Sequence, residues 1–433
     1  MYPNKTVAVV DHGLFVDFAA RLQKSFGRVL YTTPWQCALP KSNDCIVGTG
    51  LVERIESIWD HIDEIDLFIF PDIYHGPTQR YLESLGKRVW GSREGENLEI
   101  WRLEAKRYMS KQGIAIGPYA TVEGTDRLRK SLRETTDKFV KISKTRGDAE
   151  TFKHNTWSLT EPWLNELEHK LGPKKDLMEF ILEDDISPAV EVGFDGYSVD
   201  GEFSSPGIVG VEIKDDGYLG KVSDPLPVQL SDINRKLSAT FKEVNYRNFF
   251  CSEVRIKEDK GYMLDPCTRM PLPPGELYIS WIKNLPEVIW EGSNGKYVAP
   301  QYSETWGASL ILVSEWANDK WMSIEVPKEF RDNVTLRGHV RVGGKDYVVP
   351  GHGVGACHAL GATADEAMSK VKDIVGELKG LTLDYHIDAL DKAKEEFGKI
   401  KFDSPKEAKP EISGVSGLAS LLQPQSLEEE LTI

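Results

Sequence analysis

Short apolar runs and amphipathic stretches alternate along the first hundred residues. Thr6, Val7, Ala8, Val9 and Val10 form a strand-length run that ends in a polar turn, Asp11-His12-Gly13, ahead of an amphipathic stretch over residues 14–26. This pattern predicts a strand, a tight turn and a helix. Further buried strands are expected at residues 28–31, 66–70 and 87–90, with helices at 52–63 and 77–85. Strands alternating with helices imply an open parallel sheet, here through residue 95. Asp11-His12-Gly13 then sits at a strand's carboxyl end, where it is either a plain turn or a ligand loop.

From residue 96 to 113 a charged amphipathic helix carries Trp101, Ala105 and Met109 on one side, and a second helix is expected at 127–133. The period then changes. A strand over 138–144 precedes a polar loop at 145–148, a helix at 161–170 and an apolar strand at 180–183. Antiparallel-looking runs follow at 189–194, 208–213 and 250–264, so the middle region reads as α+β. Beyond Pro286 come strands at 309–314 and 338–342 and a helix at 364–378, with Met368, Val371, Ile374, Val375 and Leu378 at helical spacing. The expected division is an α/β domain over 1–95, an α+β region over 96–285, a small α+β C-terminal lobe over 286–402 and a weakly ordered tail over 403–433. In that tail the apolar cluster at 418–422 is the one feature suited to docking a partner.

With 433 residues, 40% hydrophobic and 10% aromatic, the chain has core material for a multidomain protein and is neither disordered nor a disulfide miniprotein. Lys+Arg 53 against Asp+Glu 68 gives a net charge of −15, which argues against an extended nucleic-acid or anionic-membrane surface and leaves room for a local basic pocket. The apolar runs fall short of the ~18–20 residues a membrane helix needs. Five separate cysteines, no Cys-x-x-Cys pair and no secretory h-region predict a reduced, cytoplasmic chain.

Two features suggest chemistry. Lys141 lies inside a strand between Val140 and Ile142. Such a lysine either meets an anion such as a phosphate or lies on an exposed face with Phe139 and Ser143. The second feature is a carboxylate pair, Glu253 and Asp265, on two runs joined by the turn-like Lys257-Glu258-Asp259-Lys260-Gly261. Facing each other across a hairpin, these acids call for a cation, and magnesium takes one or two carboxylates. Alternatively, Glu253 pairs with Arg255 or Lys257 at a solvent face.

The order of these pieces resembles the ATP-grasp superfamily over residues 5–385 and, within it, the glycinamide ribonucleotide synthetases, or phosphoribosylamine–glycine ligases. The stretches that carry the resemblance are 66–72, Val89-Trp90-Gly91-Ser92, residues 104–114 around Lys106, Phe139-Val140-Lys141-Ile142, and 359–367. The resemblance implies an ATP-dependent, ADP-forming carboxylate–amine ligase. Its substrates would be ATP with Mg²⁺ (Mn²⁺ the alternative ion), a small carboxylate such as glycine, and an amine acceptor. Carried across, Lys106 and Lys141 contact the nucleotide, and Glu183, Asp184 and Ile186 line the adenine hinge. Glu191 bonds the ribose, Glu253 and Asp265 hold the metal, and Lys214 and Arg269 face the transferring phosphate. Residues 143–154 act as a lid, in which Lys153 and His154 either touch phosphate or are solvated.

The departures fall around the acceptor. The family's Glu-x-Asn-x-Arg motif stands as Asp265-Pro266-Cys267-Thr268-Arg269, with a thiol where an oxygen ligand is usual, and the glycine-rich loops after Lys141 and Lys214 are missing. Residues 270–276 replace an acidic run. ATP handling therefore transfers better than acceptor identity, and a modified nucleotide or base is an alternative acceptor. A reading from another class is a noncatalytic nucleotide-binding module that recruits a partner.

Overall fold

The computed structural model describes residues 1–33, 46–143, 151–351 and 353–402. The tail expected at 403–433 and the polar loop expected at 145–148 lie outside the described residues.

The first sheet is parallel, as the pattern predicts. It comprises β1 (Tyr2–Val10), β2 (Phe26–Thr32), β3 (Glu53–Arg54), β4 (Leu67–Ile69) and β5 (Arg88–Trp90), in the order β3-β2-β1-β4-β5, with α1 (Val16–Leu22) and α2 (Gly76–Ser84) in the crossovers. Both of its faces are buried along the second half of β1, which is why Val7, Ala8, Val9 and Val10 are all apolar. Val7 and Val9 pack with Phe18 and Leu22, whereas Ala8 and Val10 pack with Ile58, Phe68 and Phe70. The helix expected at 52–63 does not form. Ile55 N–H instead donates to Tyr31 O, extending the sheet through β3, and only a 3₁₀ turn follows at Ile58–His61, started by the Ser57 side chain accepting from Trp59 N–H. Sheet pairing outweighs the weak helical pattern.

The helix expected at 96–113 is broken at Trp101 (φ −97°, ψ 68°) into α3 (Asn97–Ile100) and α4 (Arg102–Lys111). An antiparallel four-stranded subdomain follows. It contains β6 (Tyr119–Glu123), β7 (Lys138–Ile142), β8 (Thr151–His154) and β9 (Glu179–Asp184) in the order β6-β9-β7-β8, with α5 (Thr125–Arg133) and α6 (Trp157–Leu171) on one face. Val140 and Ile142 turn into the core with Leu128, Leu132 and Leu164. Period-two alternation therefore sends Phe139 and Lys141 to the opposite face.

The large sheet begins with β10 (Val190–Val199), β11 (Glu202–Phe203), β12 (Gly207–Ile213) and β13 (Gly217–Ser223). After α7 (Val228–Glu243) come the hairpin β14 (Arg247–Lys257) and β15 (Lys260–Cys267), then α8 (Pro274–Trp281) and α9 (Leu285–Gly292). β16 (Trp306–Ser314), α10 (Glu315–Asp319), β17 (Met322–Glu325), β18 (Val334–Leu336), β19 (His339–Val342), β20 (Lys345–Val348), β21 (Gly355–Gly361), α11 (Ala364–Val375) and α12 (Asp388–Phe397) follow, with two-residue strands at Lys379–Gly380 and Leu383–Asp384. The order β15-β14-β10-β12-β13-β16-β21-β18 carries the large sheet across the division expected at residue 285. Leu230, Ile233, Leu237 and Phe241 of α7 pack beneath Phe194, Phe250 and Val254. The alternate residues of β10 and β14, among them Glu191, Asp195, Cys251 and Glu253, are therefore left for the upper face.

Two of the ties that hold the first sheet to the rest lie near its two ends in sequence. Gly91 and Arg247 exchange backbone hydrogen bonds at 2.8 and 3.2 Å, and the buried His339 ring lies between Asp17 on α1 (2.6 Å) and Asp346 on β20 (3.1 Å).

Candidate active site

The free face of the four-stranded subdomain and the upper face of the large sheet enclose a cleft of about 970 Å³. Lys141, Glu183, Asp184, Ile186, Glu191, Lys214, Glu253, Asp265 and Arg269 all line it. Lys106 lies one layer behind, on α4, where its Nζ sits 2.8 Å from Glu183 Oε1 and donates to Leu264 O at 3.3 Å.

Lys141 is not on an exposed face. It is 5% exposed, its Nζ donates to Asp265 Oδ2 at 2.5 Å, and Glu183 Oε2 lies 3.3 Å away. Burial alone lowers a lysine pKa, but Asp265 and Glu183 outweigh it and hold the ammonium above its ordinary range. The solvent-face pairing considered for Glu253 does not occur either. Arg255 instead donates to Glu191 Oε2 at 2.9 Å and Asp185 Oδ1 at 3.0 Å. Glu253 and Asp265 are directly opposed across β14 and β15, next to a register shift at Glu253/Val254. Burial, and then Asp265, push the Glu253 carboxyl above its usual range. Pro266, which has no N–H, is accommodated because β15 is the sheet's edge strand.

This donor set suits magnesium. Two opposed carboxylates supply hard oxygen ligands, and the crowding that raises Glu253 is the kind a divalent cation relieves. Among the described residues no group of three or more His, Cys, Asp or Glu side chains could hold a metal ion. The Cys267 thiol, on the same strand face as Asp265, lies 3.8 Å from Arg269 O and offers a soft donor that magnesium disfavours.

Lys214 follows β12 at the cleft wall. Its pKa is raised against the cost of burial by Glu212 and Glu253. Arg269 is locked from below: its Nε donates to Glu99 Oε1 at 2.9 Å and its Nη1 to Asp72 Oδ1 at 3.2 Å, while Thr268 N–H donates to Glu99 Oε2 at 2.7 Å. Against its own burial, the His12 hydrogen bond and Arg269 hold the Asp72 carboxyl at about 2. His12 lies 3.1 Å from Asp72 Oδ2, so the first loop reaches the site through its histidine. Asp11 is structural: it is buried, and accepts from Gly13 N–H at 2.9 Å and Phe15 N–H at 2.5 Å, with Gly13 at φ +96°. Asp184 pairs with Lys138.

Of the two lid candidates, Lys153 pairs with Asp185 at 3.2 Å on the cleft wall. His154 is fully buried, with both ring nitrogens bonded internally to Thr160 Oγ1 (2.7 Å) and Thr135 O (2.9 Å), so it is not solvated. Sequence reasoning missed Asp72, Glu99, Glu212 and Arg255. Only Arg255 had a local signal, its two-residue offset from Glu253.

An antiparallel four-stranded subdomain over a larger sheet, preceded by a parallel α/β sheet, is the arrangement of the ATP-grasp fold, and this chain has it. It is similar in structure to the phosphoribosylamine–glycine ligase of Thermotoga maritima, with a TM-score of 0.66 and 17% identity over 88% of this chain and 99% of that one. The biotin carboxylase domain of Hydrogenobacter thermophilus 2-oxoglutarate carboxylase, solved with MgADP, ADP and bicarbonate, matches with a TM-score of 0.64 and 12% identity over 92% and 99% of the two chains. N5-carboxyaminoimidazole synthetase from Staphylococcus aureus, complexed with ADP, gives 0.60 and 13% over 86% and 97%. No protein-family model matches the chain, and no curated protein matches it by sequence.

Proposed function

We propose that the protein is an ATP-dependent carboxylate–amine ligase that works through an acyl phosphate. The meeting of Lys141 with the Glu253–Asp265 hairpin on the wall of a nucleotide-sized cleft carries this reading. The MgADP and ADP in the similar structures support the nucleotide and the ion.

In this reading Lys141 binds the nucleotide's phosphates with Lys106 behind it on Glu183, residues 183–186 face the adenine and Glu191 faces the ribose. Glu253 and Asp265 hold magnesium, which supplies charge neutralisation at the phosphate oxygens. A substrate carboxylate oxygen attacks the γ-phosphorus, the β–γ bridging bond breaks and ADP departs. An amine lone pair then attacks the acyl carbon, the C–O bond to phosphate breaks, and phosphate leaves with the electron pair. Lys214 and Arg269 face the charge that develops on the transferring group. Arg269 is suited to this because Glu99 and Asp72 fix its guanidinium before substrate arrives. The carboxylate is a small molecule such as an amino acid, and the acceptor differs from phosphoribosylamine, since the segments expected around it diverge. A cytoplasmic setting agrees with reduced cysteines at Cys251 and Cys357, and no described helix is long and apolar enough to cross a membrane.

The test is an ADP-release screen of carboxylic acids against amines with Mg²⁺. Substrate-pair-dependent ADP formation is expected. Mg-ATP binding without ADP release for any pair would point instead to a nucleotide-binding module.

A further inference from the structure

Glu191 on β10 and Arg255 on β14 stand directly opposite each other in the antiparallel register, and Arg255 Nε donates to Glu191 Oε2 at 2.9 Å. From the same guanidinium Nη1 donates to Asp185 Oδ1 at 3.0 Å, inside the stretch proposed to face the adenine. Asp185 is itself held from two sides. Ser187 donates to its Oδ1 from the backbone N–H (3.0 Å) and from the hydroxyl (2.6 Å), and Lys153 donates to its Oδ2 at 3.2 Å. The guanidinium also lies over the Phe139 ring, 5.5 Å from its centroid, which fixes its plane.

These contacts occupy one oxygen of Glu191 and leave the other open. Glu191 Oε1 accepts from no described residue, the side chain is 43% exposed, and Glu191, Arg255, Asp184, Ile186 and Phe139 all line the main cleft. A glutamate standing alone would lose its rotamer freedom only when a ligand bound it, at a cost in affinity. Here Arg255 has ordered it beforehand, which is how preorganisation strengthens and sharpens binding. A guanidinium is suited to the task because its rigid fork spans two carboxylates at once, whereas an ammonium is a single point of charge.

We infer that Arg255 is a positioning residue for sugar recognition: it ties Glu191 to Asp185, so that Glu191 Oε1 is held ready for a hydroxyl of the nucleotide's ribose and the cleft selects nucleotides that keep those hydroxyls. Arg255 acts through Glu191 and needs no contact with ATP. The inference rests on the ligase reading, in which Glu191 faces the ribose, and adds to it a determinant of nucleotide choice.

Titration calorimetry on the full chain tests this with Mg-ATP and Mg-2′,3′-dideoxy-ATP, which differ only in the two sugar hydroxyls. The wild type should bind Mg-ATP about tenfold or more tightly, as expected for a hydrogen bond to a charged group. Arg255→Gln and Arg255→Lys should each bring that ratio to about threefold or less. The wild-type ratio kept in either variant overturns the inference: a loss falling alike on both nucleotides would make Arg255 merely structural, and full discrimination in Arg255→Lys would make its role one of charge. If Arg255→Gln does not fold, Arg255→Lys decides alone, because it keeps the charge and removes the fork. Equal binding of the two nucleotides by the wild type removes the sugar contact and spares the ligase reading, whereas binding of neither removes both.

Discussion

Lys141 and Asp265 stand 124 positions apart in the chain and meet at 2.5 Å, joining the four-stranded subdomain to the edge of the large sheet. The lysine and the carboxylate thus neutralise each other. On the reading proposed above, Mg-ATP binding would exchange one ion pair for two, lysine with phosphate and carboxylate with magnesium.

Mg-ATP should therefore raise the melting temperature of the full chain. At a hundred times its Kd a ligand specific for the native state adds about 2.7 kcal/mol. Lys141→Met should cut Mg-ATP affinity at least tenfold, about 1.4 kcal/mol, in calorimetry. An unchanged Kd would mean that Lys141 serves the fold alone.

Substitutions on the hairpin should separate the two donor positions. Asp265→Asn should nearly abolish Mg²⁺-dependent ADP formation. Cys267→Asn, which puts an oxygen ligand where magnesium prefers one, should preserve or raise it, most visibly at low Mg²⁺. Equal activity in wild type and Asp265→Asn would make the hairpin structural.

The His339 bridge predicts a pH dependence of stability. Against the cost of burial, Asp17 and then Asp346 raise the His339 pKa to about 9. Folding therefore favours the protonated ring. Its contribution, on the order of 3 kcal/mol, is complete below the ordinary value near 6.5 and lost as pH rises through about 9. Urea midpoints should fall across that window in the wild type and much less in His339→Gln.

Glycine with phosphoribosylamine should be a poor substrate pair. Tyr218, Pro271, Leu272 and Pro274, from segments that diverge from the ligase pattern, line a smaller cavity that shares Glu253 and Arg269 with the main cleft. A pocket that leaves a substrate's polar groups unpaired discriminates by orders of magnitude. Turnover with this pair at a kcat/KM on the order of 10⁴ M⁻¹s⁻¹ or more would restore the purine-ligase acceptor.

Local periodicity made much of this architecture legible. The apolar run of β1 and the alternation around Lys141 signalled a doubly covered strand and a lysine set apart from its apolar neighbours. Other signals were present and missed: Leu230, Ile233, Leu237 and Phe241 have helical spacing, yet α7 was not expected. β13 is harder to see, because Gly217-Tyr218-Leu219-Gly220-Lys221 lacks a β-branched run. The partners of Arg269 could not be read locally. Glu99 and Asp72 lie 170 and 197 positions away, and only the fold brings them together.

The pairing of β13 with β16 also bears on how the protein is made. Gly217 to Lys221 find their backbone partners at Leu310 to Trp306, and β16 is in turn capped by β21. During synthesis, the strand after Lys214 must wait as an open edge until some ninety further residues leave the ribosome, and an exposed edge invites pairing with other chains. A chain cut after α9 would retain every candidate nucleotide and metal residue and still lack a finished floor. Premature termination between α9 and β21 should therefore yield aggregates rather than a smaller working enzyme.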